Sequence, residues 1–224
     1  MGILIALEGI DGSGKGTQAT RLCNRITQAK KRSVLLSFPR YEATHFGRAI
    51  GDFLNGRFGT LDQVSPYLAS ILYAGDRFES RDLLHNSLND NDIVVLDRYI
   101  ASNTAHQAAK LSGSGRGELI EWIRTLEHQV FQLPHPDLVL LLDLPAHDAQ
   151  KLIAKKQARN YTDLDADLHE ADVDYLERVR NVYLELAAAV DCWETIECGL
   201  GGRVRSVDEI NDEIWNVLHA KGYL

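Results

Sequence analysis

The chain has 224 residues, of which 45% are hydrophobic and 25% charged, and its formal net charge is −8. This composition is typical of a globular protein with a sizeable core, and the acidic balance argues against general nucleic-acid binding. No apolar stretch approaches the length of a membrane span, and the apolar run at residues 3–7 is too short for a leader. The three cysteines lack metal-ligand spacing. We therefore expect no nucleic-acid partner, no membrane partner and a cytoplasmic location.

The first predicted strand, residues 3–7, leads into a glycine-rich segment that precedes a helical pattern over residues 15–31. Glycines allow positive φ, so that successive backbone N–H groups and the helix N-terminus can face an anion. This order predicts a phosphate loop for a nucleoside triphosphate, with Lys15 reaching the β- and γ-phosphates. A glycine turn without a ligand is the alternative. The predicted phosphate-binding residues are Gly9, Gly12, Ser13, Gly14, Lys15, Gly16 and Thr17.

One position departs from the usual phosphate-loop pattern. The residue after the lysine is ordinarily Ser or Thr, whose hydroxyl binds Mg²⁺, whereas this chain has Gly16 and then Thr17. Whether Thr17 takes over that role is left open by the sequence.

The rest of the chain alternates apolar runs with helical patterns. Four further strands are predicted at residues 33–39, 92–97, 136–143 and, more weakly, 192–198. Helices are predicted at residues 44–54, 62–88, 116–133, 146–157, 170–190 and 207–220. This alternation predicts an α/β fold, a five-stranded parallel sheet with helices on both faces, whose ligands bind at the carboxyl ends of the strands.

Chemically informative residues follow the third strand and occupy one helix face. At a strand end beside the phosphate loop, Asp97 can hold Mg²⁺ or its waters, and Arg98 can grip a phosphate. Within the predicted helix at residues 62–88, Tyr73 and Arg77 share a face because they are four positions apart. Taken alone, this pair fits an exposed cation–aromatic contact equally well.

Four segments together resemble the thymidylate kinase family, whose members phosphorylate dTMP with ATP. They are Glu8-Gly9-Ile10-Asp11-Gly12-Ser13-Gly14-Lys15, Phe38-Pro39-Arg40-Tyr41, Asp76-Arg77 and Asp97-Arg98-Tyr99-x-x-Ser102-Asn103. The resemblance covers nearly the whole chain and implies the P-loop kinase three-layer fold. It implies a single domain at residues 1–224, with the phosphate loop at 9–17 and a short lid segment at about 155–170. It also implies ATP as phosphate donor, Mg²⁺, nucleotide substrates, a role in dTTP synthesis and a homodimer.

The resemblance assigns the acceptor site residue by residue. Around the monophosphate it places Arg40, Tyr41 and Arg98. It implies that thymine stacks on Tyr73 and that Arg77 and Asn103 hydrogen-bond the edge of the base. The full predicted dTMP-binding set is Asp11, Arg40, Tyr41, Tyr73, Arg77, Arg98, Ser102, Asn103 and His106. His106 stands where related enzymes often have an aromatic residue near the sugar, so we expect it to crowd a ribose 2′-OH.

Catalytic and metal assignments also come from the resemblance. Some members carry Arg where this chain has Gly12, and the others place basic residues in the lid, so the chain resembles the second kind. The predicted catalytic residues are Lys15, Asp11, Arg98, Lys155, Lys156 and Arg159, although a solvated helix face is the alternative for Lys155 and Lys156. The predicted residues at Mg²⁺, partly through water, are Asp11, Asp97 and Glu170.

The chemistry of such a reaction asks little of general acid–base groups. A phosphate monoester has a second pKa of about 6, so its attacking oxygen is largely deprotonated at neutral pH. Catalysis must instead bring two anions together and offset their repulsion. Two alternatives stay open: another nucleoside monophosphate kinase such as adenylate kinase, and a nucleotide-dependent switch or binding protein without an acceptor.

Overall fold

A five-stranded parallel sheet forms the centre of the molecule. In the computed structural model, which describes residues 1–60, 63–154, 173–200 and 202–224, the strand order is β2-β3-β1-β4-β5. All neighbouring strands of this sheet run parallel, which confirms the prediction. The strands are β1 (Ile3–Glu8), β2 (Ser33–Ser37), β3 (Ile93–Asp97), β4 (Leu138–Asp143) and β5 (Trp193–Glu197).

Helices connect and cover these strands. They are α1 (Lys15–Gln28), α2 (His45–Leu54), α3 (Pro66–Glu79), α4 (Arg81–Asp90), α5 (Ile100–Ala108), α6 (Ser114–Arg124), α7 (Ala146–Ile153), α8 (Val173–Ala189) and α9 (Val207–Ala220). A π-helical segment, Thr125–Val130, directly follows α6. A short hairpin, β6 (Gly199–Leu200) and β7 (Arg203–Val204), precedes α9. No helix among the described residues is long and apolar enough to cross a membrane.

Alternation along β1 explains why helices cover both faces of the sheet. Successive side chains of a strand point to opposite faces, so Ile5 and Leu7 join one buried cluster while Leu4 and Ala6 join another. The first cluster includes side chains of α1, α8 and α9, and the second includes side chains of α4 and α6. Because the central strands are buried on both faces, they read as continuous apolar runs in the sequence. The result is the expected three-layer arrangement.

The structure departs from the predicted elements in four places. The helix expected at residues 62–88 is two helices, α3 and α4, which meet at Ser80. The helix expected at residues 116–133 changes to π-helical geometry at Thr125. Helix α5 and the β6–β7 hairpin were not predicted. No Gly or Pro marks the break at Ser80, so nothing in the local sequence signals it.

The sheet places the phosphate loop beside the Asp97-Arg98 pair. Strands β1 and β3 are neighbours, with Leu7 opposite Asp97, so the segments that follow them leave the same edge of the sheet. This edge carries the carboxyl ends of the strands, where open α/β folds bind ligands.

Candidate active site

Residues 9–14 form a compact turn between β1 and α1, and residues 15–17 are the first residues of α1. The glycines of the turn take positive φ, 142° at Gly9, 83° at Gly12 and 93° at Gly14, which L side chains rarely adopt. Lys15 begins α1 and is buried, and its Nζ donates a hydrogen bond to the Ile10 carbonyl at 2.8 Å. Burial, reinforced by the nearby Arg98 charge, lowers the pKa of Lys15 to about 8. An anionic ligand would stabilise this ammonium, because burial and the Arg98 charge disfavour its protonated form.

Two glycines of this loop are required by what lies against them. A Cβ on Gly12 would stand 2.4 Å from the Ala149 carbonyl oxygen of α7. A Cβ on Gly16 would stand 3.0 Å from Oδ2 of Asp97. The departure from the usual Ser or Thr at Gly16 therefore gives room to the Asp97 carboxylate. The other oxygen of this carboxylate, Oδ1, is buried and has no hydrogen-bond partner among the described residues.

Arg98 crosses from β3 toward the phosphate loop. Its backbone takes a φ of 68°, and its backbone N–H donates to the Leu7 carbonyl at 3.0 Å. The guanidinium donates from Nη2 to Asp11 and from Nη1 to the Ser102 hydroxyl at 3.2 Å. Burial opposes its charge, but the facing Asp11 keeps the pKa of Arg98 well above its ordinary value. The side chain is thus a fixed cation beside the loop.

A buried hydrogen-bond network around Glu8 holds the Ser102 hydroxyl, which accepts from Arg98. Glu8 is fully buried, and its carboxylate accepts hydrogen bonds from the Tyr99 backbone N–H at 2.7 Å and the Ser102 hydroxyl at 2.6 Å. The Tyr183 hydroxyl of α8 also donates to Glu8, at 3.1 Å. Burial raises the pKa of Glu8. Sequence reasoning missed Tyr183 because no local pattern relates α8 to this strand end.

Helix α3 fixes the segment that carries Arg40. Asp76 is buried and accepts hydrogen bonds from the Arg40 backbone N–H, at 3.0 Å, and from the Thr44 hydroxyl. Burial raises the pKa of Asp76. The Arg40 guanidinium donates to the Ser80 hydroxyl at 3.1 Å. The break between α3 and α4 therefore supplies a partner for Arg40.

Arg77, the residue after Asp76 on α3, is buried rather than exposed. Only 2% of this residue is accessible, and its Nε and Nη2 donate to Oε2 and Oε1 of Glu127 at 2.5 and 2.6 Å. Burial opposes its charge, but Glu127 raises the pKa of Arg77 above its usual value. The exposed cation–aromatic pair considered for Tyr73 and Arg77 is therefore wrong. Sequence reasoning also missed Glu127, which lies in the π-helical segment.

Helix α5 adds two amides to the same region. Asn103 donates from Nδ2 to the Ser70 carbonyl at 3.1 Å and to Glu127 Oε1 at 2.9 Å. Gln107, one turn further on, accepts a hydrogen bond on Oε1 from Lys110 Nζ at 2.9 Å. Both residues are buried, and Oδ1 of Asn103 and Nε2 of Gln107 lack a hydrogen-bond partner in the described part of the chain. The spacing of four from Asn103 is the signal that would have indicated Gln107.

These groups line one cavity of about 390 Å³. Of the residues predicted for the site, it is lined by Asp11, Gly12, Gly14, Lys15, Gly16, Tyr41, Tyr73, Arg77, Asp97, Arg98, Ser102, Asn103 and His106. Its lining does not include Gly9, Ser13, Thr17 or Arg40. Unpredicted lining residues are Ser37, Phe38, Pro39, Leu54 and Gln107. Outside the described residues lie Lys155, Lys156, Arg159 and Glu170.

The cavity has two chemically different ends. The phosphate end consists of the loop at residues 9–17 with Asp97 and Arg98. The other end is lined by Tyr73, Arg77, Asn103 and Gln107 and is named the base pocket, because the family resemblance predicts that the first three contact the base. His106 also lines the cavity, and the Tyr175 hydroxyl of α8 donates to its backbone carbonyl at 2.9 Å.

Comparison with known proteins identifies the family. The family model described as thymidylate kinase matches residues 7–200. Thymidylate kinase of Mycobacterium tuberculosis is 33% identical over 190 residues, covering 83% of this chain and 86% of that protein. The human thymidylate kinase is 33% identical over 150 residues, covering 67% of this chain and 65% of that protein.

A solved structure supports the same assignment at the level of the fold. Thymidylate kinase from Candida albicans superposes with a TM-score of 0.76 at 24% identity, covering 99% of this chain and 93% of that chain. The family-model match and the sequence identities carry the assignment beyond the fold: the chain belongs to the thymidylate kinase family.

Proposed function

We propose that the protein transfers the γ-phosphate of ATP to dTMP, giving dTDP and ADP, through the cavity described above. Membership of the thymidylate kinase family supports this reaction. The observation that carries the proposal for this cavity is that it joins a phosphate loop with buried cations to a pocket with complementary polar groups. A nucleotide-dependent switch has no acceptor substrate, so it would not need the base pocket.

The base pocket suits the hydrogen-bonding edge of thymine. This edge presents an acceptor, a donor and an acceptor at O4, N3–H and O2. Arg77 and Gln107 have donors that would pair with the two acceptors of thymine. Oδ1 of Asn103 is an acceptor that would pair with N3–H. Cytosine has an acceptor at N3 and a donor at its amino group, so it would leave these buried groups mispaired. Tyr73 would stack on the ring.

The phosphate end accounts for the transfer itself. We assign the ATP phosphates to the backbone and Lys15 of the loop, and the acceptor phosphate to Arg98, Tyr41 and Arg40. Because the attacking oxygen is already deprotonated, the protein needs to align the two anions and offset their repulsion. Asp11, paired with Arg98, lies between the two groups and orients that guanidinium.

A lid would complete the charge stabilisation. We propose that Lys155, Lys156 and Arg159 close over the phosphates, as the family resemblance implies. In this proposal residues 1–224 form a single domain, and the lid is the segment at about residues 155–170. Cations that contact the transferred group most strongly in the transition state would raise kcat more than they lower KM.

The residues present fit Mg²⁺. Its usual protein ligands are one or two carboxylates, the remaining positions being filled by substrate phosphates and water. Oδ1 of Asp97 is buried without a hydrogen-bond partner among the described residues, while Oδ2 of the same carboxylate lies against Gly16. No group of three or more His, Cys, Asp or Glu side chains in that part of the chain could hold a metal alone. Bound Mg²⁺ would neutralise charge on the ATP phosphates, and we assign Asp11 and Glu170 to its waters.

We also propose a cytoplasmic homodimer. Large apolar side chains are exposed on α3 and the neighbouring π-helical segment, namely Leu68 (62%), Phe78 (42%) and Val130 (62%). We propose that these side chains form part of the dimer interface, where they would be buried. Light scattering of the purified protein would give twice the chain mass if it is a dimer, and replacing Leu68 with Glu should shift it toward the monomer.

The test is a coupled ADP-release assay with ATP and Mg²⁺. It offers dTMP, dUMP, AMP, GMP, CMP and UMP separately, with Lys15→Ala as the blank. We expect strong turnover of dTMP and weak turnover of the ribonucleotides. Turnover of AMP instead would support an adenylate kinase activity and contradict the base pocket. ADP release without any acceptor would support the switch alternative.

A further inference from the structure

Glu127 is a buried carboxylate that lies behind the base pocket without lining the cavity. It is fully buried in the π-helical segment, and its two oxygens accept three hydrogen bonds. Two come from Arg77 of α3 and one from Asn103 of α5. One carboxylate therefore holds both side chains that are expected to read the edge of the base, although they come from different helices. π-Helical turns are frequent at functional sites.

The first consequence concerns the orientation of the Asn103 amide. Its Nδ2 lies between two acceptors, Oε1 of Glu127 at 2.9 Å and the Ser70 carbonyl at 3.1 Å. A flipped amide would place Oδ1 against both acceptors, so the flipped state is disfavoured. The orientation of the amide is thereby fixed, and Oδ1 is the atom that has no hydrogen-bond partner among the described residues. Glu127 thus makes Asn103 a hydrogen-bond acceptor for a ligand.

The second consequence concerns Arg77. Glu127 binds its Nε and Nη2 edge in a bidentate pair, which fixes the plane of the guanidinium. Nη1 lies outside this pair, and the residue lines the cavity. The pair also compensates a cation that would be costly to bury alone. The base pocket is therefore rigid and electrically balanced before any base enters.

We propose that Glu127 is a positioning residue that sets the base specificity of the enzyme by fixing Asn103 as acceptor and by fixing the orientation of the Arg77 guanidinium. This inference rests on the proposed dTMP kinase activity. It assigns the discrimination between thymine and cytosine to a residue that does not touch the substrate. Without the carboxylate, only the Ser70 carbonyl holds Nδ2 of Asn103, so the flipped amide costs less free energy and a base with an acceptor at N3 is no longer rejected as strongly.

The experiment compares kcat/KM for dTMP and dCMP in Glu127→Gln, a substitution that keeps side-chain size but replaces one acceptor oxygen with a donor. We expect KM for dTMP to rise, KM for ATP to stay unchanged, and the ratio of kcat/KM for dTMP over dCMP to fall about tenfold or more. A general loss of packing would not move this ratio. Ile214→Val on α9 is the matched control, because it removes a methyl group from the core away from the cavity.

A second variant keeps the test decisive if Glu127→Gln does not fold. Glu127→Asp retains the charge but withdraws the carboxylate by one methylene, so the ratio should fall less than in Glu127→Gln. An unchanged ratio and an unchanged KM for dTMP in whichever variants fold would overturn the inference. Failure of the wild-type protein to phosphorylate dTMP would instead overturn the proposed function, so the two failures are distinguishable.

Discussion

Lys15 at the phosphate end and Arg77 in the base pocket are buried cations whose pKa values shift in opposite directions. At the phosphate end, burial lowers the pKa of Lys15 to about 8, and its Nζ donates to a backbone carbonyl. In the base pocket, burial also opposes the charge of Arg77, but Glu127 raises its pKa. Lys15 is thus a cation that an anionic ligand would stabilise, whereas Arg77, like Arg98 beside Asp11, is already compensated by the protein. We infer that the first end provides affinity and catalysis, whereas the second provides selection.

The largest effect should follow removal of the uncompensated cation. In Lys15→Ala we expect kcat to fall about 100- to 1000-fold, because a preorganised charge at the transferred phosphate is lost. KM for dTMP should change little, since the base pocket is intact. Steady-state kinetics in both substrates measure this. Lys221→Ala, which removes a lysine paired with Glu194 at the surface, is the control. A large rise in KM for dTMP would contradict the separation of the two ends.

Stability should separate two glycines of the phosphate end. Both Gly12 and Gly14 have positive φ, but an added Cβ meets the Ala149 carbonyl at 2.4 Å only at Gly12. At Gly14 no heavy atom of the described chain lies within 4 Å of it. We expect Gly14→Ala to lower the free energy of unfolding by about 1 kcal/mol and Gly12→Ala by about 3 kcal/mol. Urea denaturation without ligand measures both. Equal losses would show that the contact with α7 is unimportant.

How far the sequence predicts each end follows from where the partners lie. The loop of the phosphate end is a run of consecutive residues after one buried strand, and Asp97 and Arg98 stand together at the end of another, so local sequence identifies both. The apolar strands predict the sheet for the same reason. The base pocket depends on Glu127, 50 positions from Arg77, and the position of Arg40 depends on a helix break at Ser80. Periodicity reports which face is buried but not which buried groups meet, so sequence reasoning missed these partners and Gln107.

The pH dependence should also distinguish the two ends. Since burial lowers the pKa of Lys15 from 10.5 to about 8, the ligand-free folded protein loses this proton while the unfolded chain keeps it. The contribution of Lys15 to stability therefore rises with pH between about 8 and 10.5. ATP should bind the protonated form, so KM for ATP should rise about fivefold from pH 8 to pH 9. KM for dTMP over the same range is the internal control. A flat KM for ATP would contradict this prediction.

A further effect concerns the region between the two ends, where the sugar would sit. His106 is buried, lines the cavity and is tied to α8 through its backbone carbonyl. In His106→Ala we expect the preference for dTMP over its ribonucleotide analogue to fall about tenfold, because the pocket excludes one hydroxyl by shape alone. Thr104→Ala, on the same helix but outside the cavity lining, is the control. If His106→Ala discriminates as well as the wild type, the surrounding backbone rather than the imidazole excludes the 2′-OH.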